Sequence, residues 1–442
     1  MPLSRFFGRG RDATPDTPPP SDPPDDIAPE GGEDDEASEE PELAPHRSFR
    51  ERADSVLPTG ASTGSKRADA LYGDAASELP THFVSAQGAY VTDVDGARFL
   101  DCTMALGAVA LGYSEPRVTR AVVDAASEGN VCGLSSWREV ELAERLCAII
   151  PCAERAQFLK TGADATAAAV RLARAYTGRE HIIACGYFGW HDWSSDSPGI
   201  PAGVRRDVSW VPFDEIGALQ LAVAAAGNGL AAIIIEPVVE HAPSVAWLTR
   251  AREMCDLAGA ALIFDEMKTG FRVAPGGYQE LSGVTPDLAT FGKAMANGYP
   301  LAAVVGKQPL MEAARDTWIS STLASESTAL AAALAVLDWH EEADICGTLG
   351  ETGAAMRAAV ERAIEASGVD SVATRGIDAM WLLQWTDRSR EQRFLAHAMR
   401  AGVLFKKGAY NFAAIAHDEA ALLEIERAAS AALVALAEEE EG

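Results

Sequence analysis

The stretch "LIFDEMKTGFRVAPGG", residues 262 to 277, runs from an apolar segment directly into two adjacent carboxylates, Asp265 and Glu266. The apolar residues indicate a buried strand. A carboxylate inside a protein is costly unless a cation or a hydrogen-bond donor meets it. The sequence therefore predicts a partner for an acid at the end of this strand.

Five further apolar runs lie between residues 156 and 306, with Ala-rich helical stretches separating most of them: "AQFLKTG", "HIIACGY", "AAIIIEPVV", "DLATFGK" and "LAAVVG". Runs without polar alternation suit strands that are covered on both faces, and helices between them favour crossovers in a mainly parallel sheet. We therefore predict an α/β fold whose large domain spans residues 111 to 310.

The segments on either side of this domain predict a smaller lobe. "AYVTDVDGARFLDC", residues 89 to 102, alternates apolar and polar residues around the turn Asp95-Gly96, which indicates a β-hairpin. Residues 311 to 442 are mostly helical in pattern, with a strand-like "MWLLQW" at 380 to 385. We expect residues 311 to 442 to form a small α/β domain that residues 46 to 110 join.

The first 45 residues are rich in proline and acid, with thirteen carboxylates against three arginines and a net charge of −10. Such a segment has too little apolar surface to offset the entropy of ordering, so we predict a disordered tail. The tail either only solvates the protein or binds an unknown partner, for which "MPLSRFFGRGR" is the candidate contact.

Charge and cysteine content exclude several classes of function. A net charge of −28 argues against nucleic acid or an anionic membrane as a partner. No apolar run reaches membrane-spanning length and the N-terminus lacks a secretion signal, so we expect a cytoplasmic protein. Seven cysteines without a C-x-x-C pair suit reduced thiols better than disulfides or a zinc site, and no metal is predicted.

Chemistry is expected where parallel strands end, because ligands bind at that edge of an open sheet. Thr161-Gly162-Ala163 leads from one strand into a long helix, whose free N–H groups suit a phosphate. Tyr187 or Trp190 can stack on a planar ring, although an aromatic packing cluster explains this stretch equally well. Lys293, at the end of another buried strand, is placed for a lowered pKa and for imine formation.

A phosphate cradle, an aromatic plate, a buried carboxylate and a desolvated lysine match the parts of pyridoxal 5'-phosphate (PLP). They correspond in turn to its phosphate, ring face, ring nitrogen and aldehyde. Asp265 is then expected to hold the protonated pyridine nitrogen.

The run "LIFDEMKTGFRVAPGGYQELSGVTPDLATFGKAMANGYPLAAVVG" closely resembles the class III aminotransferases, especially the branch around glutamate-1-semialdehyde 2,1-aminomutase. The resemblance extends from about Ala89 to Leu337. It implies the PLP-dependent transferase fold of type I, with Lys293 as the Schiff-base lysine and Asp265 as the acid at the ring nitrogen.

The same resemblance implies further cofactor contacts. Gly162 and Ala163 fall at the phosphate-binding positions, Tyr187 at the ring-stacking aromatic, and Met267 at the apolar residue on the opposite ring face. Thr322, in "SSTLASESTALAAA", falls where a threonine reaches the phosphate of the neighbouring subunit. The resemblance therefore implies a homodimer with shared active sites.

Four departures from the family pattern leave the substrate open. Ala163 lacks the hydroxyl usual at its position, and Phe188 stands where the family usually has histidine. His241 stands where the aminomutase has an asparagine near the phenolic oxygen of the cofactor. No clear counterpart exists for the N-terminal arginine that grips the substrate carboxylate in the aminomutases.

Three functions follow as hypotheses. The first is a PLP-dependent aminotransferase that moves an amino group between a small-molecule amino donor and a carbonyl acceptor. The second is the aminomutase, which returns the amino group to the same carbon skeleton. The third is a non-catalytic PLP-binding partner protein, against which the presence of both Lys293 and Asp265 argues.

Overall fold

The computed structural model describes residues 48 to 73 and 79 to 441. The disordered tail predicted for residues 1 to 45 lies outside these ranges. One compact unit runs from Arg47 to Gly442.

The strands of the described chain, numbered in order, are β1 (Phe83–Gln87), β2 (Tyr90–Asp93), β3 (Arg98–Asp101), β4 (Arg155–Leu159), β5 (His181–Cys185), β6 (Val208–Trp210), β7 (Leu230–Ile235), β8 (Ala261–Asp265), β9 (Leu288–Phe291), β10 (Ala302–Gly306), β11 (Val372–Ile377), β12 (Met380–Trp385), β13 (Val403–Leu404) and β14 (Asn411–Phe412).

The helices are α1 (Phe49–Val56), α2 (Ala68–Tyr72), α3 (Met104–Gly107), α4 (Pro116–Glu128), α5 (Trp137–Ile149), α6 (Gly162–Thr177), α7 (Ala202–Arg205), α8 (Ile216–Ala226), α9 (Val245–Ala258), α10 (Tyr278–Ser282), α11 (Gln308–Met311), α12 (Ala314–Thr317), α13 (Ser327–Glu342), α14 (Ile345–Ser367), α15 (Arg388–Arg400) and α16 (Glu419–Glu441).

The central sheet has seven strands in the order β4-β10-β9-β8-β7-β5-β6. Strands β9, β8, β7, β5 and β6 are parallel neighbours, whereas β10 runs antiparallel to both β4 and β9. The six predicted apolar runs are β4, β5, β7, β8, β9 and β10, so the predicted α/β architecture is confirmed. The sequence did not predict the short edge strand β6 or the reversed direction of β10.

Burial on both faces explains why these runs lack polar alternation. Every residue of β7 and β8 is buried. Leu262 and Phe264 of β8 pack into the hydrophobic core on one face, and Ala261 and Ile263 pack into a second core on the other. Successive side chains of a strand point to opposite faces of the sheet. Apolar layers therefore cover both faces of this sheet.

Two smaller sheets flank the central one. Strands β2 and β3 form the predicted hairpin, and β13, about 300 residues later, pairs in parallel with β3 to give the order β1-β2-β3-β13. Strand β12 is the predicted "MWLLQW" strand, and it lies between β11 and β14 in an antiparallel sheet. The N-terminal hairpin thus joins the C-terminal region, while domain boundaries at residues 110 and 310 stay predictions.

A buried arginine connects these regions. Arg272, fully buried in the loop after β8, donates to the carbonyl oxygens of Gly107 and Val109 and to those of Ala379 and Ala413. Burial lowers the pKa of Arg272 to about 10. Its four acceptors are backbone carbonyls, so this guanidinium ties the loop to the N-terminal segment and to the small sheet.

Within the described ranges, the helices are all too short or too polar to be membrane spans.

Candidate active site

The residues singled out in the sequence lie at one edge of the central sheet. Gly162 follows β4, Tyr187 follows β5, Asp265 ends β8, and Lys293 comes two residues after β9. These strands share one direction, so their carboxyl ends meet at the same edge. The topology brings the predicted phosphate, ring, acid and lysine positions to this edge.

Asp265 is only 4% exposed, and its hydrogen bonds leave one carboxylate oxygen open. Its Oδ1 accepts from the Thr290 hydroxyl at 2.8 Å, across the β8–β9 register, and from the Met267 N–H at 3.1 Å. No residue of the described chain donates to Oδ2. Burial, and then the negative charge of Glu236, raise the pKa of Asp265 to about 7, against the opposing effect of Lys293.

The second acid of the pair, Glu266, has a different task, which the sequence did not reveal. Its carboxylate accepts from the Thr269 hydroxyl, from the Tyr278 N–H at 2.8 Å and from the Gln279 N–H at 3.0 Å. These donors belong to the loop and helix that follow β8. Glu266 therefore orders the loop that begins beside the candidate site.

Lys293 is the first residue of a 3-10 turn and has a φ of 47°. This left-handed conformation is unfavourable in free energy for any residue other than glycine. Asn297 ends the turn and fixes it, because its Oδ1 accepts from the N–H groups of Ala110 and Leu111 at 3.0 Å each. Burial lowers the pKa of Lys293, with Lys268 acting in the same direction and Asp265 opposing. A lowered pKa raises the fraction of neutral, nucleophilic amine.

The start of α6 offers backbone donors. Thr161 caps the helix by accepting the Asp164 N–H at 3.1 Å, while Asp164 accepts the Thr161 N–H in return. This capping box leaves the N–H groups of Gly162 and Ala163 without an acceptor among the described residues. Free N–H groups at a helix N-terminus bind phosphate.

Met267 lies between the phosphate position and the lysine turn. A methyl group built on Gly162 would lie 3.1 Å from the Met267 sulfur, and one built on Gly292 would lie 2.7 Å from it. A side chain at either glycine would require the Met267 thioether to shift. Met267 therefore packs beside both segments, and its place on one face of the ring stays a prediction.

The aromatic stretch after β5 divides into two parts. Phe188 is buried and stacks on Trp193 at 5.7 Å and on Trp210 at 5.9 Å, so it belongs to a packing cluster. The side chains of Tyr187 and Trp190 are 73% and 74% exposed. The Tyr187 N–H donates to Glu236 Oε2 at 3.1 Å, which holds this residue at the edge of the sheet. Tyr187 is thus exposed at this edge, and its role in stacking on a ring stays a prediction.

Thr322 and His241 stand apart from these contacts. Thr322 is exposed in the turn before α13, where Glu326 rather than Thr322 caps the helix. His241 is exposed, its Nδ1 lies 3.0 Å from the Ala242 carbonyl, and its ring packs against Phe213. None of these contacts joins His241 to Lys293 or Asp265, so its role near the cofactor stays a prediction.

The donor set fits PLP. Two free N–H groups stand where a phosphate is expected, one oxygen of a buried carboxylate is open for a ring nitrogen, and a lysine with lowered pKa lies at the same edge. Sequence reasoning missed one further charged pair, between Lys268 and Glu236, beside these residues. Lys268 lies inside the quoted motif, but a lysine in a loop gives no sign that it is buried.

Known proteins resemble this chain over most of its length. The family model described as aminotransferase class-III matches residues 72–191 and 209–416. The chain is 36% identical over 341 residues to 3-aminobutyryl-CoA aminotransferase of Cloacimonas acidaminovorans, covering 75% of this chain and 81% of that protein. It is 35% identical over 400 residues to glutamate-1-semialdehyde 2,1-aminomutase of Thermomicrobium roseum, covering 82% and 92%.

A solved structure of similar shape is the FumI protein of Sphingopyxis sp. MTA144 in its PLP internal aldimine form. The TM-score is 0.85 at 29% sequence identity, with 89% of this chain and 97% of that chain covered. The likeness therefore extends over nearly the whole of FumI.

Proposed function

Since this chain belongs to the class III aminotransferases, a family of PLP-dependent enzymes, we propose that it moves an amino group between an amino donor and a carbonyl acceptor, with Lys293 as the residue that binds PLP covalently. The observation that carries the proposal is the placement of Lys293 and Asp265 at the ends of adjacent strands β9 and β8. PLP supplies an aldehyde carbon for covalent attachment and a ring that takes up electrons.

Lys293 has two tasks in this proposal. Its neutral Nζ would hold the cofactor covalently in the absence of substrate. The free amine then holds and moves a proton at the substrate carbon, for which a lowered pKa is suited. The left-handed turn and the hydrogen bonds of Asn297 fix the backbone from which the Lys293 side chain extends.

Asp265 provides a fixed negative charge for the ring nitrogen. Its Oδ1 is held by Thr290 and Met267, so Oδ2 is the oxygen that would accept a hydrogen bond from that nitrogen. The pKa of Asp265, about 7, would fall beside a protonated ring nitrogen, because an opposite charge favours the ionised form. Asp265 therefore stabilises the protonated ring.

The remaining contacts orient the cofactor. The N–H groups of Gly162 and Ala163 would hold the phosphate, with no hydroxyl from Ala163. Tyr187 and Met267 would cover the two ring faces. His241, whose ring packs against Phe213, is the proposed contact of the phenolic oxygen of the cofactor.

A homodimer with shared sites is part of the proposal. Leu134, Trp137 and Leu323 are large apolar side chains that are more than half exposed. Their segments are joined by a hydrogen bond from the Ser327 N–H to the Asn130 carbonyl. Exposed apolar side chains gathered in this way favour an interface with a second copy. All seven cysteines are free thiols, which supports the proposed cytoplasmic location.

If Thr322 reaches the phosphate of the neighbouring subunit, Thr322→Val loses one hydrogen bond to a charged group. The expected cost is about 1.5 to 3 kcal/mol, or roughly a 10- to 100-fold weaker Kd for PLP. Cofactor binding and association are then linked, so PLP should tighten the wild-type dimer more than the variant dimer.

Sedimentation with and without PLP measures this linkage. Ser321→Ala, the change of an adjacent exposed hydroxyl, is the matched control and should behave as wild type. A monomer that binds PLP as tightly as the dimer would rule out the shared site.

The aminomutase is the second candidate, favoured by the 35% identity to that enzyme over 82% of the chain. A half-reaction separates the two. With a panel of amino donors and no acceptor, an aminotransferase should release one carbonyl product per active site and retain the amino group on its cofactor. An aminomutase should release no such product. Mass spectrometry of the released compound, together with the absorbance of the bound cofactor, reads the result.

A further inference from the structure

A buried ion pair lies beside the candidate site and has no part in the mechanism above. Lys268 Nζ contacts Glu236 Oε1, with side chains only 16% and 6% exposed. The ring centroid of Tyr410 lies 4.2 Å from the same Nζ. Although burial by itself would lower the pKa of Lys268, Glu236 and Tyr410 outweigh burial and raise it. Lys268 is therefore a permanent cation at this place.

The pair joins segments from four parts of the site. Glu236 follows β7, and its second oxygen accepts the Tyr187 N–H after β5. Lys268 follows β8, only three residues after Asp265. Tyr410, just before β14, accepts the Glu240 N–H at 2.9 Å through its hydroxyl. The carboxylate thus holds the backbone of the proposed ring-stacking residue with one oxygen and the ammonium with the other.

Charged groups of both signs lie near Lys293 and Asp265. Glu236 acts on both, because its negative charge raises the pKa of Asp265 and the pKa of Lys293. Lys268 acts on Lys293 in the opposite direction, as does the buried Arg272. Without Lys268, Glu236 would be a buried carboxylate with no cation bonded to it, which is strongly unfavourable.

We propose that Lys268 is a positioning residue that neutralises Glu236, so that Glu236 can hold Tyr187 without adding uncompensated negative charge beside Asp265 and Lys293. The inference rests on the proposed function, since it takes Lys293 as the residue that binds PLP. Lys268 itself does not touch the reacting atoms in this account.

The sign of each substitution follows from these charges. Lys268→Met leaves Glu236 with the Tyr187 N–H as a donor that favours its ionised form. The uncompensated negative charge of Glu236 then raises the pKa of the Lys293 nitrogen. Glu236→Gln removes that negative charge and leaves Lys268 positive, so the same pKa falls. The double variant removes one charge of each sign and should return close to the wild-type value. Lys268→Arg keeps the charge and should resemble the wild type.

The test is a pH titration of the visible absorbance of the bound cofactor in the substrate-free holoenzyme. We expect an apparent pKa about one unit higher for Lys268→Met and about one unit lower for Glu236→Gln, the scale of a nearby buried charge. Because no substrate is present, a role of Lys268 in binding a substrate anion cannot produce these shifts. Glu236→Gln removes the charge at nearly unchanged size and keeps one acceptor oxygen, for either Lys268 or the Tyr187 N–H. It therefore tests the proposal even if Lys268→Met does not fold.

Identical titrations for all the variants would overturn the proposal. So would a double variant that shifts as far as Lys268→Met alone, because Lys268 would then act independently of Glu236. Wild-type protein that shows no cofactor absorbance would instead contradict the proposed function.

Discussion

Lys293→Ala is expected to lower kcat for amino transfer by roughly 10³-fold or more, on the scale of a lost general base together with a lost covalent attachment. One nitrogen performs both tasks in the proposed mechanism, so the covalent absorbance of the cofactor and the turnover should disappear together. Spectra and single-turnover kinetics on the purified variant measure both.

A matched control is Lys307→Ala. Lys307 follows β10, which runs antiparallel to β9, so it lies at the opposite edge of the sheet. It forms an ion pair with Asp287 at 2.6 Å, so its loss should cost a little stability and leave kcat unchanged. If Lys293→Ala retained both the absorbance and the turnover, another residue would have to bind the cofactor.

Asp265→Asn should keep PLP and lower kcat by roughly 10² to 10³-fold, the cost of removing one preorganised electrostatic contact. An asparagine oxygen can still accept from Thr290 and Met267, so the end of β8 should keep its shape. The amide carries no charge, however, and cannot stabilise a protonated ring nitrogen. The phosphate and ring contacts do not involve Asp265, so the variant should remain loaded.

Cofactor occupancy and kcat, measured on the same preparation, check this prediction. Thr290→Val is the control, because it removes one hydrogen bond to Asp265 and leaves the charge. The pKa of Asp265 should then rise and the loss of kcat should be much smaller. A near-normal kcat in Asp265→Asn would mean that a different acid holds the ring nitrogen.

The strands of the central sheet could be predicted because burial on both faces leaves a direct mark on composition, as in β7 and β8. The direction of a strand does not affect its composition, and for this reason the antiparallel direction of β10 was not predicted. The pairing of Val403 with Leu100 joins residues about 300 positions apart through a two-residue strand, and no local pattern indicates it.

The sequence offered candidates for the site where a charged residue ends an apolar run, as with Asp265 and Lys293, and both lie at one edge of the sheet. Glu266 and Lys268, in the same quoted stretch, were not assigned roles. Glu266 receives its hydrogen bonds from residues 269 to 279 only after the loop folds back. Lys268 pairs with Glu236, which follows the neighbouring strand β7. Such partners are brought together only by the tertiary fold, so the spacing of residues within the motif does not predict them.

Borohydride reduction of the holoenzyme, followed by peptide mass spectrometry, tests the central claim most directly, because reduction makes the lysine–cofactor bond permanent. Lys268 is a built-in comparison, since it lies close by and is tied to Glu236. The account predicts a single cofactor-derived mass increase, on the peptide that contains Lys293, at one equivalent per chain. A mass increase on the peptide that contains Lys268, or none on any peptide, would contradict it.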